Sequence, residues 1–169
     1  MKKLILDACC GGRMFWFNKE HPAAVYGDIR SEEFIACDGR SIRIRPDVQM
    51  DFRKIPFESE SFYLVIFDPP HLDNAGAKGW MAQKYGRLGK EWRADLKAGF
   101  DECMRVLKPN GTLIFKWNES RIRVSELVEI FGCEPLIGHR TLQSSKTIWM
   151  TFMKLERAGI AVATTGDEK

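Results

Sequence analysis

The sequence predicts an α/β fold built on a mostly parallel sheet. Three observations carry this. A continuous apolar run at 64–67 stops abruptly at Asp68-Pro69-Pro70, as a strand buried on both faces does. Shorter apolar runs that end in acids recur upstream, at Asp7, Asp28 and Asp51. Between the run ending at Phe67 and the next one, at 112–117, lies the clearest helical pattern: Leu96, Phe100, Cys103 and Leu107 recur on one face of 91–108. Strand, helix, strand in that order makes parallel neighbours.

The 169 residues suffice for one domain with one sizeable core, placed here at 1–155, with 156–169 as a flexible tail of small and polar residues. Hydrophobic residues make up 44% and charged residues 29%, an ordinary globular balance. No apolar stretch approaches the roughly 20 residues a bilayer span needs. The brief apolar run after Met1-Lys2-Lys3 ends at Asp7 and is not a signal-peptide pattern. The five cysteines form no CxxC pair and, with three scattered histidines, no zinc pattern. Reduced thiols in a cytoplasmic protein are expected. Net charge is only +3, yet from His71 to Ala98 six bases face three acids, so an equal excess is concentrated there.

Taken in order, residues 3–9 read as the first strand and Cys10-Gly11-Gly12-Arg13 as the turn after it. A strand, an acid and a glycine turn cradle a nucleotide-type cofactor. Glycine lets the backbone approach the ligand, and Asp7 can hold an amino group or a water. Only Gly11 fits a D-x-G-x-G-x-G loop, so a plain strand-to-helix turn explains the segment equally well. Residues 14–17 are expected to form a short helix whose aromatics pack on the sheet or border the cofactor pocket. Residues 23–28 form the second strand. Asp28 lies 21 residues after Asp7, where an acid grips a ribose diol, the alternative being an exposed turn.

Asp38-Gly39 between alternating apolar residues predicts a small β-hairpin, with Ile35 opposite Ile42 and with Cys37 and Ile44 on the same face. Arg43 and Arg45 then project from the other face, as a solvated surface or a phosphate-contacting patch. Residues 46–53 are a third strand and turn. The stretch 72–90 holds four glycines, and Trp80 and Tyr85 alternate there with Lys78, Lys84 and Arg87. It reads as a lid, either merely basic or holding an extruded nucleotide through stacking and phosphate contacts. Pro109-Asn110-Gly111 stops the helix, and Asn118 ends the next strand on the side of Asp68. A short helix at 125–131 precedes an antiparallel pair of strands at 135–139 and 146–153.

Asp68-Pro69-Pro70-His71 resembles the Asp-Pro-Pro-aromatic signature of S-adenosylmethionine-dependent amino methyltransferases, which methylate exocyclic amines of bases, mostly adenine N6. The passages 51–63 and 105–113 resemble class I methyltransferases more widely. The resemblance implies a Rossmann-like, seven-stranded sheet with an antiparallel last strand, here with a hairpin insertion. It implies that the Asp68 side chain and the Pro69 carbonyl accept the two amine hydrogens while Pro70 and His71 pack against the base. The family has Tyr, Phe or Trp where this chain has His71. Asp7, Ala8, Cys9 and Gly11 would line the cofactor, Asp28 would hold its ribose, Asp51 its adenine amino group, and Phe52 would lie beside the ring. Read from the residues themselves, Trp80, Lys84, Tyr85 and Arg87 of the lid would meet the substrate, and Asn118 either lines the substrate site or is explained equally well by turn polarity.

The expected activity is thus methyl transfer from S-adenosylmethionine to a nucleic-acid base amine in DNA or RNA, adenine N6 favoured, with no metal. Many relatives carry a helix before the first strand and a separate target-recognition domain; neither is seen in this sequence, so a protein partner or a homodimer is a further expectation. The alternatives are a protein or small-molecule amine as acceptor, and a non-catalytic cofactor-binding module.

Overall fold

In the computed structural model, residues 2–35, 39–71, 88–140 and 146–155 are described. The apolar run before Asp68 is the strand β6 (Phe62–Phe67), and Phe62, Val65, Ile66 and Phe67 are buried. Its neighbours are parallel: β1 (Ile5–Asp7) on one side and β7 (Leu107–Asn118) on the other. β2 (Ala24–Asp28) and β5 (Val48–Gln49) continue the parallel sheet beyond β1. Beyond β7 comes β9 (Thr147–Met153), antiparallel to it, and β8 (Ile137–Arg140) closes the edge, antiparallel to β9. The order β5-β2-β1-β6-β7-β9-β8 is the seven-stranded, mostly parallel sheet expected, with the last strand of the chain reversed.

α1 (Trp92–Val106) and α2 (Val124–Phe131) join β6 to β7 and β7 to β8. Both put their apolar side on one face of the sheet. Leu96, Phe100, Cys103 and Val106 of α1 and Leu127 and Phe131 of α2 share a core with Val65, Phe67, Leu113, Phe115 and Phe152. Helical and strand periodicities meet there, as the sequence pattern requires. Gly111 does not end a loop before β7, because the strand already begins at Leu107. Leu107 pairs with Phe62 and Thr112 with Leu64, so the Pro-Asn-Gly segment is an irregularity inside the strand, with Asn110 at φ 61°.

Gly99 is where α1 comes closest to the sheet. A Cβ there would stand 2.5 Å from Phe52 Cδ2 and 2.7 Å from Phe67 Cζ. Gly99→Ala is therefore expected to destabilise the fold by about 1–3 kcal/mol, despite alanine's better helix propensity. Chemical denaturation would show it, and an unchanged midpoint would mean that the two rings move aside freely.

Two expectations need correction. Residues 14–17 are turns, not a short helix. Gly11 and Arg13 adopt positive φ (47° and 53°), which breaks a right-handed helix before it can nucleate. Met14 and Phe17 are exposed, while Trp16 is tied to Asp7 and packs edge-on against Tyr26 at 4.9 Å. Trp16 and Cys10 thus cover the sheet face opposite the helices at β1 and β2.

The hairpin is present as β3 (Glu32–Ile35) and β4 (Ser41–Ile44), but its register is shifted by one residue. Phe34, not Ile35, faces Ile42, and Glu33 faces Arg43. This register half-buries the Phe34 ring and makes a 2.6 Å Glu33–Arg43 ion pair, while Ile35 is left exposed. Cys37, residues 72–87 of the lid predicted at 72–90, and the predicted tail at 156–169 lie outside the described residues. Among the described residues no helix is long and apolar enough to cross a membrane.

Candidate active site

β1 is where the sheet changes direction of growth. β2 lies on one side and β6 on the other, so the carboxyl ends of β1 and β6 flank a switch-point crevice. Asp7 ends β1, and Asp68 follows β6 directly. The parallel register that pairs Phe67 with Phe115 sets Asp68 beside Lys116. Lys116 Nζ donates to Asp68 Oδ2 at 2.6 Å and stands 5.7 Å from the ring centres of both Phe15 and Trp149. Asp68 Oδ1 makes no hydrogen bond among the described residues.

Burial pushes the Asp68 carboxyl above its ordinary range, opposed by the Lys116 ammonium and by His71. The His71 ring meets Trp117 edge-on at 6.2 Å. Burial holds its pKa below the usual histidine value; Asp68 acts against this and Lys116 with it. Burial thus favours the neutral form of the His71 ring. Asp68, Pro69, His71 and Lys116 line a small cavity of about 70 Å³ together with Cys9 and Gly11.

On the cofactor side, Ala8 N–H donates to Ile66 C=O at 2.9 Å, tying the end of β1 to β6. Cys9 is a thiol held well above its ordinary pKa, by burial first and by the Asp28 carboxylate next, so it is not a nucleophile. Gly11 N–H donates to Asp28 Oδ2 at 2.9 Å. Asp28 Oδ1 accepts from the backbone N–H (2.9 Å) and Nε (3.2 Å) of Arg30. In this structure, Asp28 thus braces the glycine turn, and Arg30 stands in the cavity wall. Asp51 lies just after β5 and is bound by Arg53, which also reaches Asp95 of α1 at 2.9 Å. Those hydrogen bonds hold the Asp51 carboxyl below its usual value. Phe52 packs on Phe67, centroids 5.3 Å apart. Asp28, Asp51 and Phe52 stand outside the lining of the small cavity.

Asp7 is fully buried and accepts from Trp16 Nε1 at 2.8 Å and from Cys9 N–H at 3.3 Å. Burial nonetheless pushes its carboxyl up to about 7, with Asp68 and Asp28 adding to the rise. The folded state then holds this proton more tightly than the unfolded chain, whose carboxyl titrates near 3.8. Its contribution to stability is full below about pH 4, falls as pH rises to about 7, and is constant above. Asp7→Asn has no such titration and is expected to gain about 2–3 kcal/mol on the parent between pH 5 and pH 8. Urea midpoints at the two pH values measure this, and a constant difference would contradict it.

The sequence-predicted residues Asp68, Pro69, His71, Cys9 and Gly11 come together here. Asn118 is engaged elsewhere at the same end of the sheet: its Nδ2 donates to Thr147 Oγ1 at 3.1 Å and its Oδ1 accepts from Ser120 N–H at 3.1 Å. Trp80, Lys84, Tyr85 and Arg87 lie outside the described residues. Sequence reasoning passed over Lys116 and Arg30, and took Trp16 only as one of the aromatics of 14–17 that pack on the sheet or border the cofactor pocket. Aligning run 64–67 with run 112–117 as parallel neighbours would have put Lys116 beside Asp68. Nothing local marks Arg30 or the hydrogen bond from Trp16 to Asp7.

No family model and no curated protein matches the sequence. Solved structures do match it in fold. A Pyrococcus horikoshii protein, 16% identical, aligns over 90% of this chain and 82% of its own with a TM-score of 0.56. A SAM-dependent methyltransferase from Methanosarcina mazei, 11% identical, aligns over 92% and 94% with a TM-score of 0.54. A 16S rRNA (adenine(1408)-N(1))-methyltransferase from Catenulisporales acidiphilia, solved with cosubstrate SAM and 12% identical, aligns over 92% and 86% with a TM-score of 0.53. At these identities the likeness establishes the fold, a Rossmann-like methyltransferase sheet.

Proposed function

We propose that this chain is an S-adenosylmethionine-dependent methyltransferase that modifies an exocyclic amine of a nucleic-acid base, adenine N6 favoured. The observation that carries this reading is the Asp68 carboxylate. It is held at the switch point by Lys116, beside the Gly11 turn and next to Pro69 and His71. A scaffold has no need of a half-buried acid there. The fold shared with an rRNA methyltransferase that acts on adenine N1 supports a nucleic-acid acceptor, while the choice of an exocyclic amine rests on Asp68-Pro69-Pro70.

The residues present suit the cofactor chemically. Acids stand at or just beyond the ends of β1, β2 and β5, and Gly11, with its positive φ, opens the turn between the first two. The cavity of about 70 Å³ is smaller than the roughly 300–1,000 Å³ that ligands of this class fill, and Arg30 forms part of its wall. On this reading Arg30 withdraws from Asp28 on binding, which frees that carboxylate for a ribose diol. When bound, S-adenosylmethionine supplies an electrophilic methyl group on a sulfonium.

The chain's own residues then act on the amine. Asp68 accepts one N–H, and Pro69, which has no N–H of its own to compete, offers its carbonyl to the other. Two acceptors fix the orientation of the nitrogen lone pair. As the nitrogen gains a carbon it becomes cationic, and Asp68 stabilises that charge and takes the proton that leaves. The neutral His71 ring packs against the base. Cys9, a thiol, forms no covalent intermediate.

The test is transfer of tritiated methyl from S-adenosylmethionine to single- and double-stranded DNA and RNA. Label in nucleic acid, located by nucleoside digestion, supports the reading. Cofactor binding with label only in proteins or small amines would replace the acceptor. Cofactor binding with no transfer to any acceptor would leave a binding module.

A further inference from the structure

A second, larger cavity of about 930 Å³ lies beside the first, between the 12–21 segment and the hairpin strand β4. Its lining carries six cations, Lys3, Arg13, Lys19, Arg40, Arg43 and Arg45, against two acids, Glu20 and Asp47. This excess of four exceeds the +3 of the whole chain. Some of it is answered. Asp47 pairs with Arg13 at 3.2 Å, and Glu33, just outside the lining, pairs with Arg43 (2.6 Å) and Arg45 (3.2 Å). Lys3 and Lys19 make no ion pair among the described residues. Lys3 Nζ spends its hydrogen bond on the neutral carbonyl of Ala24, and the Lys19 side chain makes none among the described residues.

The position of the cleft matters as much as its charge. Gly12 and Met14 line both cavities, so only the turn at 12–14 separates the cleft from Asp68. A Cβ at Gly12 would stand 3.8 Å from the Arg43 carbonyl, so turn and hairpin abut. The exposed Met14 forms the ridge, and Ile42 adds apolar wall on the cleft side. His21 also lines the cleft, and its buried Nδ1 has no partner among the described residues. The volume far exceeds one phosphate. The mixture of cations and apolar side chains suits a chain of phosphates carrying flat rings.

The geometry points to a track for the phosphodiester backbone of a nucleic-acid strand. The nucleotides flanking the target base cross the Gly12–Met14 ridge and lay their phosphates against Lys19, Arg43 and Arg45. This rests on the nucleic-acid reading of the site and adds to it: the hairpin insertion is the surface that holds the substrate strand in place. The cations position the strand without reading its sequence.

Fluorescence anisotropy of labelled 12-mer oligonucleotides over a range of salt tests this in the full chain. The combined variant Lys19→Glu, Arg43→Gln, Arg45→Gln is expected to bind single strands at least about tenfold more weakly at 50 mM salt. Its slope of log K against log[salt] should be shallower by about 2, for three lost phosphate contacts. Lys19→Glu alone, at an exposed residue, should move both in the same direction and guards against a hairpin that no longer folds. Unchanged affinity and slope in both variants, with label still transferred to oligonucleotides, would overturn the track and leave the methylation reading intact. Variant-sensitive binding with no label in any nucleic acid would sink methylation and keep the track. Displacement of the 12-mer by an equal concentration of mononucleotide would assign the cleft to a small anion instead.

Discussion

Asp68→Ala is expected to lower methyl transfer to a nucleic-acid amine by about 100- to 1,000-fold at saturating substrate, about 2.7–4 kcal/mol of transition-state stabilisation. S-adenosylmethionine affinity should stay within a few fold. The reason is the change of charge during the reaction. The amine is neutral when it binds and cationic as the new bond forms, so a carboxylate beside it is worth more in the transition state than in the ground state. Truncation also strands Lys116, but its side chain is 26% exposed and can turn to water, so the fold should survive. Asp68→Asn keeps one acceptor oxygen and should fall between parent and Ala. Undiminished transfer by Asp68→Ala would remove Asp68 from the chemistry altogether.

Lys116→Met should move the acid limb of the pH profile of kcat/KM to higher pH. Lys116 donates to Asp68 Oδ2 at 2.6 Å, and its charge opposes the rise that burial imposes on that carboxyl. Without it the burial effect goes largely unopposed, Asp68 holds its proton to higher pH, and the negative charge that stabilises the cationic amine is lost. Activity at pH 7 therefore falls and recovers as pH is raised. Methionine retains most of the side-chain volume between Phe15 and Trp149, so a packing defect would lower activity at every pH without moving the limb. Lys116→Arg keeps the charge and should restore the midpoint. A profile unmoved in Lys116→Met would show that the ion pair does not set the state of Asp68.

The two predictions differ in how visible their residues are in the sequence. Asp68 stands out because its signals are local. Four apolar residues precede it and two prolines follow, so the chain must leave the sheet there. Lys116 has no local mark. It alternates with Phe115 and Trp117 as any solvated strand residue does, and only the pairing of β6 with β7 sets it against Asp68. Asp28 shows the same division. Its spacing from Asp7 was legible, whereas the Gly11 and Arg30 hydrogen bonds on its two oxygens come from segments before and after β2 in the chain that meet at its carboxyl end. The hairpin was legible through Asp38-Gly39, but its register followed the Phe34 ring and the Glu33–Arg43 pair rather than the turn. The helix expected at 14–17 was misread because aromatic content says nothing about Arg13 at φ 53°.

By itself, then, the amino-acid order determined the α/β class, most of its elements and the acid presented at the carboxyl end of a central strand. Each depends on periodicity, glycine or proline within a few residues, and short-range sterics act before the chain is folded. The tertiary structure alone decided which charges meet. It placed Lys116 beside Asp68, Trp16 on Asp7, and the hairpin's arginines across a cleft from Lys19. Those pairings join residues from 9 to 48 positions apart. They exist only once the sheet order is set, because an ionic or polar contact depends on distance in space and leaves no period in the sequence.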